Sequence, residues 1–265
     1  MTERARLMNR LLATDASGAP RLLVSVRSSE EALAAIEGGA DILDVKEPSR
    51  GSLGMAGMEV IAAIARQSDE TLAHHVPLSV ALGEVIDWRD RGVVSALPDS
   101  VTFAKLGLSH LAQNRGWRDE WLRVRERFDR HRSSHLEWVA VAYADSDEAA
   151  SPPILDILEA AIETNCAGLL IDTFAKTGHT LTDCCDAGSL CDLAERCHSA
   201  GLFLALAGRL ARESLSHLSR VPADILAIRS AACVDADRTA SVSARAVASF
   251  RKAMQTTVLF LTPVP

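Results

Sequence analysis

Lysine is the rare basic residue of this chain. Only four of the 28 basic residues are lysines (Lys46, Lys105, Lys176 and Lys252), and the rest are arginines. A lysine amine can lose its proton and attack a carbonyl carbon to form a Schiff base, whereas an arginine guanidinium stays charged. The composition therefore indicates the lysines as candidate nucleophiles.

Two aspartates accompany these lysines in the sequence. Asp44 precedes Lys46 by two residues, and Asp172 precedes Lys176 by four. An amine that is close to other cations in a dry cavity loses part of its proton affinity, and a neighbouring carboxylate can carry protons during dehydration and enolisation. Each pair taken alone fits an ordinary salt bridge equally well.

Apolar runs alternate with longer amphipathic stretches and predict eight strands. The predicted strands are 22–26, 41–46, 77–82, 101–106, 136–144, 168–172, 202–207 and 224–229. The predicted helices between them include 58–67, 87–96, 117–132, 154–164, 190–200, 210–218 and 242–254. Units of about 29 residues are typical of a TIM (β/α)8 barrel, an α/β fold. We expect one barrel over 21–255; an open, doubly wound sheet is the alternative.

The short segments outside the predicted barrel carry no obvious reagent. Residues 1–20 form an N-terminal extension and residues 256–265 an apolar C-terminal tail. We expect them to pack against the barrel bottom or a neighbouring subunit of a possible homo-oligomer.

Catalytic groups of such barrels lie at the carboxyl ends of the strands and in the loops that follow. Lys46, Lys105 and Lys176 fall at the ends of even-numbered strands, whose inward side chains share layers of the barrel interior. We therefore expect them to converge on one mouth. Tyr143 and Asp145, which close the fifth strand, could act there as a proton donor or an orienting group, or belong to the rim.

The last two strands end in a candidate phosphate site. Gly208 follows strand 7, and Arg229, Ser230 and Ala231 follow strand 8. Barrels commonly bind phosphate at this position through backbone N–H groups and the start of a short helix. A small phosphorylated substrate is the prediction; a turn glycine and a structural rim arginine are the alternative.

Composition excludes several other classes of function. A formal net charge of −7 argues against nucleic acid as a partner. No run approaches the ~20 apolar residues that span a bilayer, and the N-terminus lacks the apolar run of a secretory signal, so we expect a cytoplasmic protein without a membrane partner. The histidines and cysteines lack zinc-site spacing, so we expect no metal.

The motifs taken together resemble one family, the (5-formylfuran-3-yl)methyl phosphate synthases, also called 4-(hydroxymethyl)-2-furancarboxaldehyde phosphate synthases. The resemblance covers roughly residues 22 to 250. The matching segments are 22–25 (LLVS), 37–46 (EGGADILDVK), 51–54 (GSLG), 105–107 (KLG), 143–145 (YAD), 170–176 (LIDTFAK), 205–208 (ALAG) and 229–233 (RSAAC). The loop after strand 8 departs from the family in having less glycine.

This resemblance implies a TIM-barrel lyase that condenses two molecules of glyceraldehyde 3-phosphate, with loss of phosphate and water, for methanofuran-type cofactor biosynthesis. It implies no cofactor. The family's functional residues would fall on Asp44, Lys46, Lys105, Asp172 and Lys176. Lys46 would form the Schiff base, with Lys176 as the alternative, and the other three would shuttle protons or steady the intermediates.

Three other functions are compatible with parts of the pattern. A class I aldolase-like phosphosugar barrel would share the Schiff-base lysine, and a non-catalytic phosphosugar-binding barrel would share the phosphate site. The segment from Asp44 to Lys46 also matches the Asp-x-Lys of orotidine phosphate decarboxylase-type barrels. Ser49 stands where that family has a second aspartate, which disfavours this last hypothesis.

Overall fold

The computed structural model describes residues 18–71, 76–91, 94–175 and 178–259. In these residues eight parallel strands form a closed barrel in sequential order. The strands are β1 (Arg21–Val26), β2 (Ile42–Val45), β3 (Leu78–Glu84), β4 (Val101–Gly107), β5 (Glu137–Tyr143), β6 (Gly168–Asp172), β7 (Phe203–Leu206) and β8 (Ile225–Ile228). Because β1 pairs with both β2 and β8, the sheet has no edge. The TIM-barrel prediction is confirmed, and the doubly wound sheet is excluded.

The barrel interior changes from apolar to polar toward the carboxyl ends of the strands. Successive inward positions on a strand are two residues apart, so one inward residue predicts the next. Four apolar residues of the interior cluster are each followed, two positions on, by a buried polar residue: Leu23 by Ser25, Ile42 by Asp44, Phe103 by Lys105, and Leu170 by Asp172. The apolar floor thus supports a polar layer at one mouth.

Helices cover the outside of the barrel. They are α1 (Ser29–Glu37), α2 (Met58–Thr71), α3 (Trp117–Asp129), α4 (Ser146–Ala149), α5 (Ile154–Glu163), α6 (Leu181–Cys184), α7 (Ala187–Ser199), α8 (Ser214–Leu218) and α9 (Ala244–Leu259). Ser28 caps the first of these helices, since its side chain accepts the Glu31 N–H at 3.2 Å. Among the described residues, no helix is both long and apolar enough to cross a membrane.

The predicted helix at 87–96 is wrong. Val85–Trp88 forms a single 3-10 turn, and the described residues after it, 89–91 and 94–100, contain no helix. Arginine side chains take the place of helical N–H donors here: Arg127 Nη1 donates to the Trp88 carbonyl at 2.8 Å, and Arg132 Nη1 to the Pro98 carbonyl at 2.5 Å. The backbone therefore has polar partners without a helix.

The chain termini differ from the sequence prediction at one end. The final helix continues to Leu259, so residues 256–259 of the predicted tail are helical. Most of the predicted N-terminal extension lies outside the described residues; only Gly18–Pro20 of it is described.

Candidate active site

A cavity opens at the carboxyl ends of the strands. The centres of water-sized molecules can occupy about 60 Å³ of it, and the space between its walls is about 640 Å³ when the open solvent at the mouth is counted. Its walls bring together most of the residues that the sequence singled out. They include Ser25, Asp44, Lys46, Lys105, Asp172, Gly208, Arg209, Arg229, Ser230 and Arg238.

Asp44 and Lys105 form a buried ion pair in the wall of this cavity. Lys105 Nζ donates to Asp44 Oδ1 at 2.6 Å, and the two residues are 3% and 1% exposed. Ser25, the register partner of Asp44 on β1, donates to the other carboxylate oxygen at 3.2 Å. The pair is thereby held in one geometry, with each carboxylate oxygen of Asp44 accepting from a side-chain donor.

Lys46 lies directly after β2, two residues beyond Asp44. Its backbone N–H donates to the Val26 carbonyl at 3.0 Å, and its Nζ donates to the Ser52 carbonyl at 3.4 Å. The residue is only 9% exposed. Lys46 thus contributes a primary amine to the lining of the cavity.

A tight loop between β2 and α2 carries Ser52 to Lys46. The Glu47 N–H donates to the Gly54 carbonyl at 2.8 Å and closes the loop. A Cβ on Gly54 would lie 2.3 Å from the Glu47 carbonyl oxygen, so this closure requires glycine. Gly54 of the 51–54 motif therefore has a structural reason.

The Ser52 side chain joins this loop to β6. Its hydroxyl lies 2.9 Å from Asp172 Oδ2 and 3.1 Å from the Thr173 carbonyl oxygen. The second oxygen of Asp172 accepts the Thr173 N–H at 2.8 Å. Ser52 thus contacts the Lys46 amine through its carbonyl and the Asp172 carboxylate through its hydroxyl, and links the two side chains.

Lys176 lies outside the described residues, but the segment leading to it is well anchored. The Asp145 carboxylate accepts the N–H groups of Phe174 and Ala175 at 2.7 and 2.8 Å. Asp145 follows β5, so it holds the start of the β6 loop at the mouth. The Asp145 carboxylate therefore orients the backbone of this loop. Asp145 is not among the described residues that line the cavity.

The predicted phosphate residues divide into two groups. Gly208 and Ser230 line the cavity, and Ser230 begins a 3-10 turn, Ser230–Ala232, whose first N–H groups have no partner inside the turn. Ala231 belongs to the same turn, but it is not among the described residues that line the cavity. Gly208 has φ of +98°, and a Cβ there would press on Thr173, so the position needs glycine.

The Arg229 side chain is committed to the structure of the barrel. A guanidinium has five N–H groups. Those of Arg229 donate to the Glu31 carboxylate twice and to the backbone carbonyls of Ser25, Arg238 and Ala240. Its guanidinium retains no N–H for a phosphate in this arrangement, which favours the structural rim arginine that the sequence offered as the alternative.

Tyr143 donates its hydroxyl to Glu84 Oε1 at 2.5 Å, and Glu84 also accepts the Ser109 N–H at 2.9 Å. Burial, and then the nearby Glu84 charge, raise the pKa of the Tyr143 hydroxyl well above its ordinary value. Gly107, the last residue of the Lys-Leu-Gly motif, makes room for this pair: a Cβ would lie 2.1 Å from Glu84 Oε2. Tyr143 is therefore a neutral hydrogen-bond donor next to the β6 loop.

Two cavity residues, Arg209 and Arg238, escaped the sequence prediction as site residues. Arg209 follows β7 and Arg238 follows β8. A position after a barrel strand is the sequence signal that could have identified them. With them, the described lining residues carry five basic side chains against two carboxylates, although the whole chain is acidic. The cavity therefore attracts anions.

The described residues contain no group of three or more histidine, cysteine, aspartate or glutamate side chains that could hold a metal ion. Asp44 and Asp172, the carboxylates of the cavity, instead hydrogen bond lysine, serine and backbone donors. The arrangement offers amines, carboxylates and hydroxyls for proton transfer and covalent catalysis.

Similar structures show the fold. The chain matches wild-type GGGPS from Thermoplasma volcanium with a TM-score of 0.64 at 10% identity, over 100% of both chains. It matches (S)-3-O-geranylgeranylglyceryl phosphate synthase from Thermoplasma acidophilum, solved with sn-glycerol-1-phosphate, with a TM-score of 0.60 at 12% identity, over 97% of this chain and 99% of that one. At these identities the likeness extends to the barrel architecture alone.

Sequence comparison gives the family. A family model described as 4-HFC-P synthase matches residues 22–251. A relative from Methanopyrus kandleri, named (5-formylfuran-3-yl)methyl phosphate synthase, is 34% identical over 223 residues, which cover 83% of this chain and 92% of the relative. A relative of the same name from Methanothermobacter thermautotrophicus is 34% identical over 224 residues, covering 82% and 91%. The chain therefore belongs to the 4-HFC-P synthase family.

Proposed function

We propose that this protein condenses two molecules of glyceraldehyde 3-phosphate into (5-formylfuran-3-yl)methyl phosphate, a step toward a methanofuran-type cofactor. One observation carries the proposal. Lys46 lines an anion-attracting cavity beside Asp172 and the Asp44–Lys105 pair, in a chain whose relatives bear the name of that synthase.

The covalent step belongs to Lys46. Its neutral amine adds to the carbonyl carbon of one triose phosphate, and loss of water from the carbinolamine gives a protonated imine. The imine acidifies the neighbouring carbon, so that removal of a proton gives an enamine, which attacks the aldehyde of the second triose. Lys176, the alternative for this role from the sequence, would contribute from the β6 loop.

The overall reaction balances without an oxidant or a reductant. Two trioses lose one inorganic phosphate and two water molecules as the carbon–carbon bond forms, phosphate is eliminated and the ring closes. Each of these steps moves protons. Asp172 lies next to Lys46 through Ser52 and is the candidate proton carrier there. Asp44 and Lys105 share a hydrogen bond along which a second proton can move.

Phosphate groups of the substrate would bind at the other side of the mouth. Ser230, which starts the 3-10 turn, and Gly208 both line the cavity. Backbone N–H groups are neutral donors that bind phosphate oxygens. Arg229 would not contact the phosphate; through its ion pair with Glu31 it would hold this turn in place.

The aldolase-like and non-catalytic alternatives predict different products. Incubation with glyceraldehyde 3-phosphate should generate a furan with strong near-ultraviolet absorbance and release inorganic phosphate in equal amount. Simple aldol products would lack the absorbance, and a non-catalytic barrel would leave the triose unchanged. Either result with the folded wild-type protein would overturn the proposal.

A further inference from the structure

Arg238 connects two loops at the mouth of the cavity. It is half-buried, it lies in the loop after β8, and its side chain lines the cavity. Its Nη2 donates to the carbonyls of Pro48 and Gly51 at 3.1 and 3.3 Å. Both acceptors belong to the loop after β2 that also carries Ser52, so these bonds fix the guanidinium plane between the two loops.

The remaining donors of Arg238 are available to a ligand. A guanidinium has five N–H groups, of which the two on Nη2 account for the carbonyl contacts. Across the described ranges, no hydrogen bond or ion pair engages Nε or Nη1 of this residue. Three N–H groups of a planar cation at a cavity wall suit the oxygens of a phosphate, which can accept two of them side by side.

The backbone of Arg238 is held in advance of binding. The Arg229 Nε donates to the Arg238 carbonyl at 2.8 Å, and Arg229 is itself fixed by the buried Glu31 carboxylate. The cation therefore does not need to be ordered when a ligand arrives, which lowers the free-energy cost of binding.

The charges around Arg238 leave it short of a counter-ion. Burial lowers the pKa of its guanidinium; Asp172 opposes that effect, and the positive charges of Arg229 and Arg209 add to it. In the part of the chain that the structure describes, no carboxylate lies at salt-bridge distance from Arg238. A partly buried cation among other cations is stabilised when an anion binds beside it.

We propose that Arg238 binds the phosphate of the second triose phosphate, at a subsite separate from the backbone turn at Ser230. This inference rests on the proposed function, because a reaction between two phosphorylated trioses requires two anion subsites in one cavity. The Ser230 turn supplies neutral backbone donors, and Arg238 supplies the charged, bidentate ones.

The direct test counts phosphate ions. Titration with inorganic phosphate, followed by calorimetry or phosphorus NMR, should give two sites in the wild-type protein and one in Arg238→Gln. Arg212→Gln is the matched control, because Arg212 is exposed in the segment after β7 and does not line the cavity. It should keep both sites.

Steady-state kinetics give a second readout. Loss of a charge-assisted, bidentate contact should raise KM for glyceraldehyde 3-phosphate in Arg238→Gln by about 10-fold to 100-fold, with a smaller effect on kcat. Borohydride should still trap one triose on the variant, because the first substrate binds at the other subsite. A purely structural role for Arg238 would lower both adduct and turnover through unfolding, which a thermal melt detects.

These outcomes separate the two proposals. Two phosphate sites in Arg238→Gln, or an equal loss in Arg212→Gln, would overturn the Arg238 subsite while furan formation stands. If Arg238→Gln loses one phosphate site but the wild-type protein makes no furan, the proposed function alone is overturned. If the variant does not fold, phosphate should protect Arg238 but not Arg212 of the wild-type protein from phenylglyoxal, as mapped by mass spectrometry; equal protection would contradict the proposal.

Discussion

The Lys105 amine lies 2.6 Å from the Asp44 carboxylate in the wall of the cavity, and both side chains are almost fully buried. They stand on β2 and β4, which are not neighbours in the barrel, so the contact crosses the interior. Lys105 is thus the charged partner of Asp44, while the Lys46 amine donates to the Ser52 carbonyl in the same cavity.

Breaking the buried pair should cost stability. Asp44→Asn leaves the Lys105 ammonium buried without its counter-ion, and we expect the free energy of unfolding to fall by about 3 to 5 kcal/mol. The double variant Asp44→Asn with Lys105→Met should recover much of that loss but none of the activity. Urea unfolding and furan formation measure the two effects. A single variant as stable as wild type would show that the pair does not act as a buried ion pair.

We expect the Ser52 hydroxyl to support stability and activity by holding the Asp172 carboxylate in place. Ser52→Ala removes the donor at 2.9 Å from the Asp172 carboxylate, and we expect about 1 kcal/mol less stability and about a tenfold lower kcat/KM. Ser49→Ala is the control, because Ser49 is exposed in the same loop and its hydroxyl donates to Glu47 rather than to Asp172. Equal effects of the two substitutions would contradict a specific role for Ser52.

Tyr143 gives a pH-dependent prediction with a direct optical signal, because it is the only tyrosine of the sequence. Its pKa is raised in the folded protein. The associated stability is complete below about pH 10, where the unfolded chain also keeps its proton, and is lost as the pH rises further, because the unfolded chain ionises first. The tyrosinate band should therefore appear only together with unfolding. Its appearance near pH 10 in a natively folded protein would contradict burial of the hydroxyl.

Gly107 should be needed for the Glu84–Tyr143 pair. In Gly107→Ala the new methyl group would overlap the Glu84 carboxylate, and relief of that overlap should cost about 1 to 3 kcal/mol of stability. Displacement of Glu84 should also lower the pKa of Tyr143, because the Glu84 charge opposes its ionisation. A thermal melt and the tyrosinate titration report the two consequences; an unchanged titration would show that Glu84 has kept its place.

Local patterns were sufficient to predict the barrel and its main lysines. Strand parity predicted that Lys46, Lys105 and Lys176 converge on one mouth. Lys46 and Lys105 line the cavity there, and Lys176 lies outside the described residues. Contacts that depend on loop closure had no such signal. Ser52 meets Asp172 across 120 positions of sequence, and Arg229 meets Glu31 across 198. The same holds for the segment 87–96, where Arg127 of α3 donates to the Trp88 carbonyl across 39 positions of sequence.

The exchange of Lys46 for arginine tests the amine without removing the charge. Lys46→Arg should fold normally and make no furan, because a guanidinium stays protonated. Lys252→Arg is the matched control, since Lys252 is exposed on α9 and should tolerate the change with full activity. Product formation by the Lys46 variant at the wild-type rate would remove this residue from the covalent role.

The most direct measurement is borohydride trapping of the wild-type protein with glyceraldehyde 3-phosphate, followed by peptide mapping by mass spectrometry. A reduced triose adduct on Lys46, absent when borohydride or the triose is omitted, is the predicted result. An adduct on Lys105 or Lys252 instead, or none during active furan formation, would contradict the proposal that the Lys46 amine is the nucleophile.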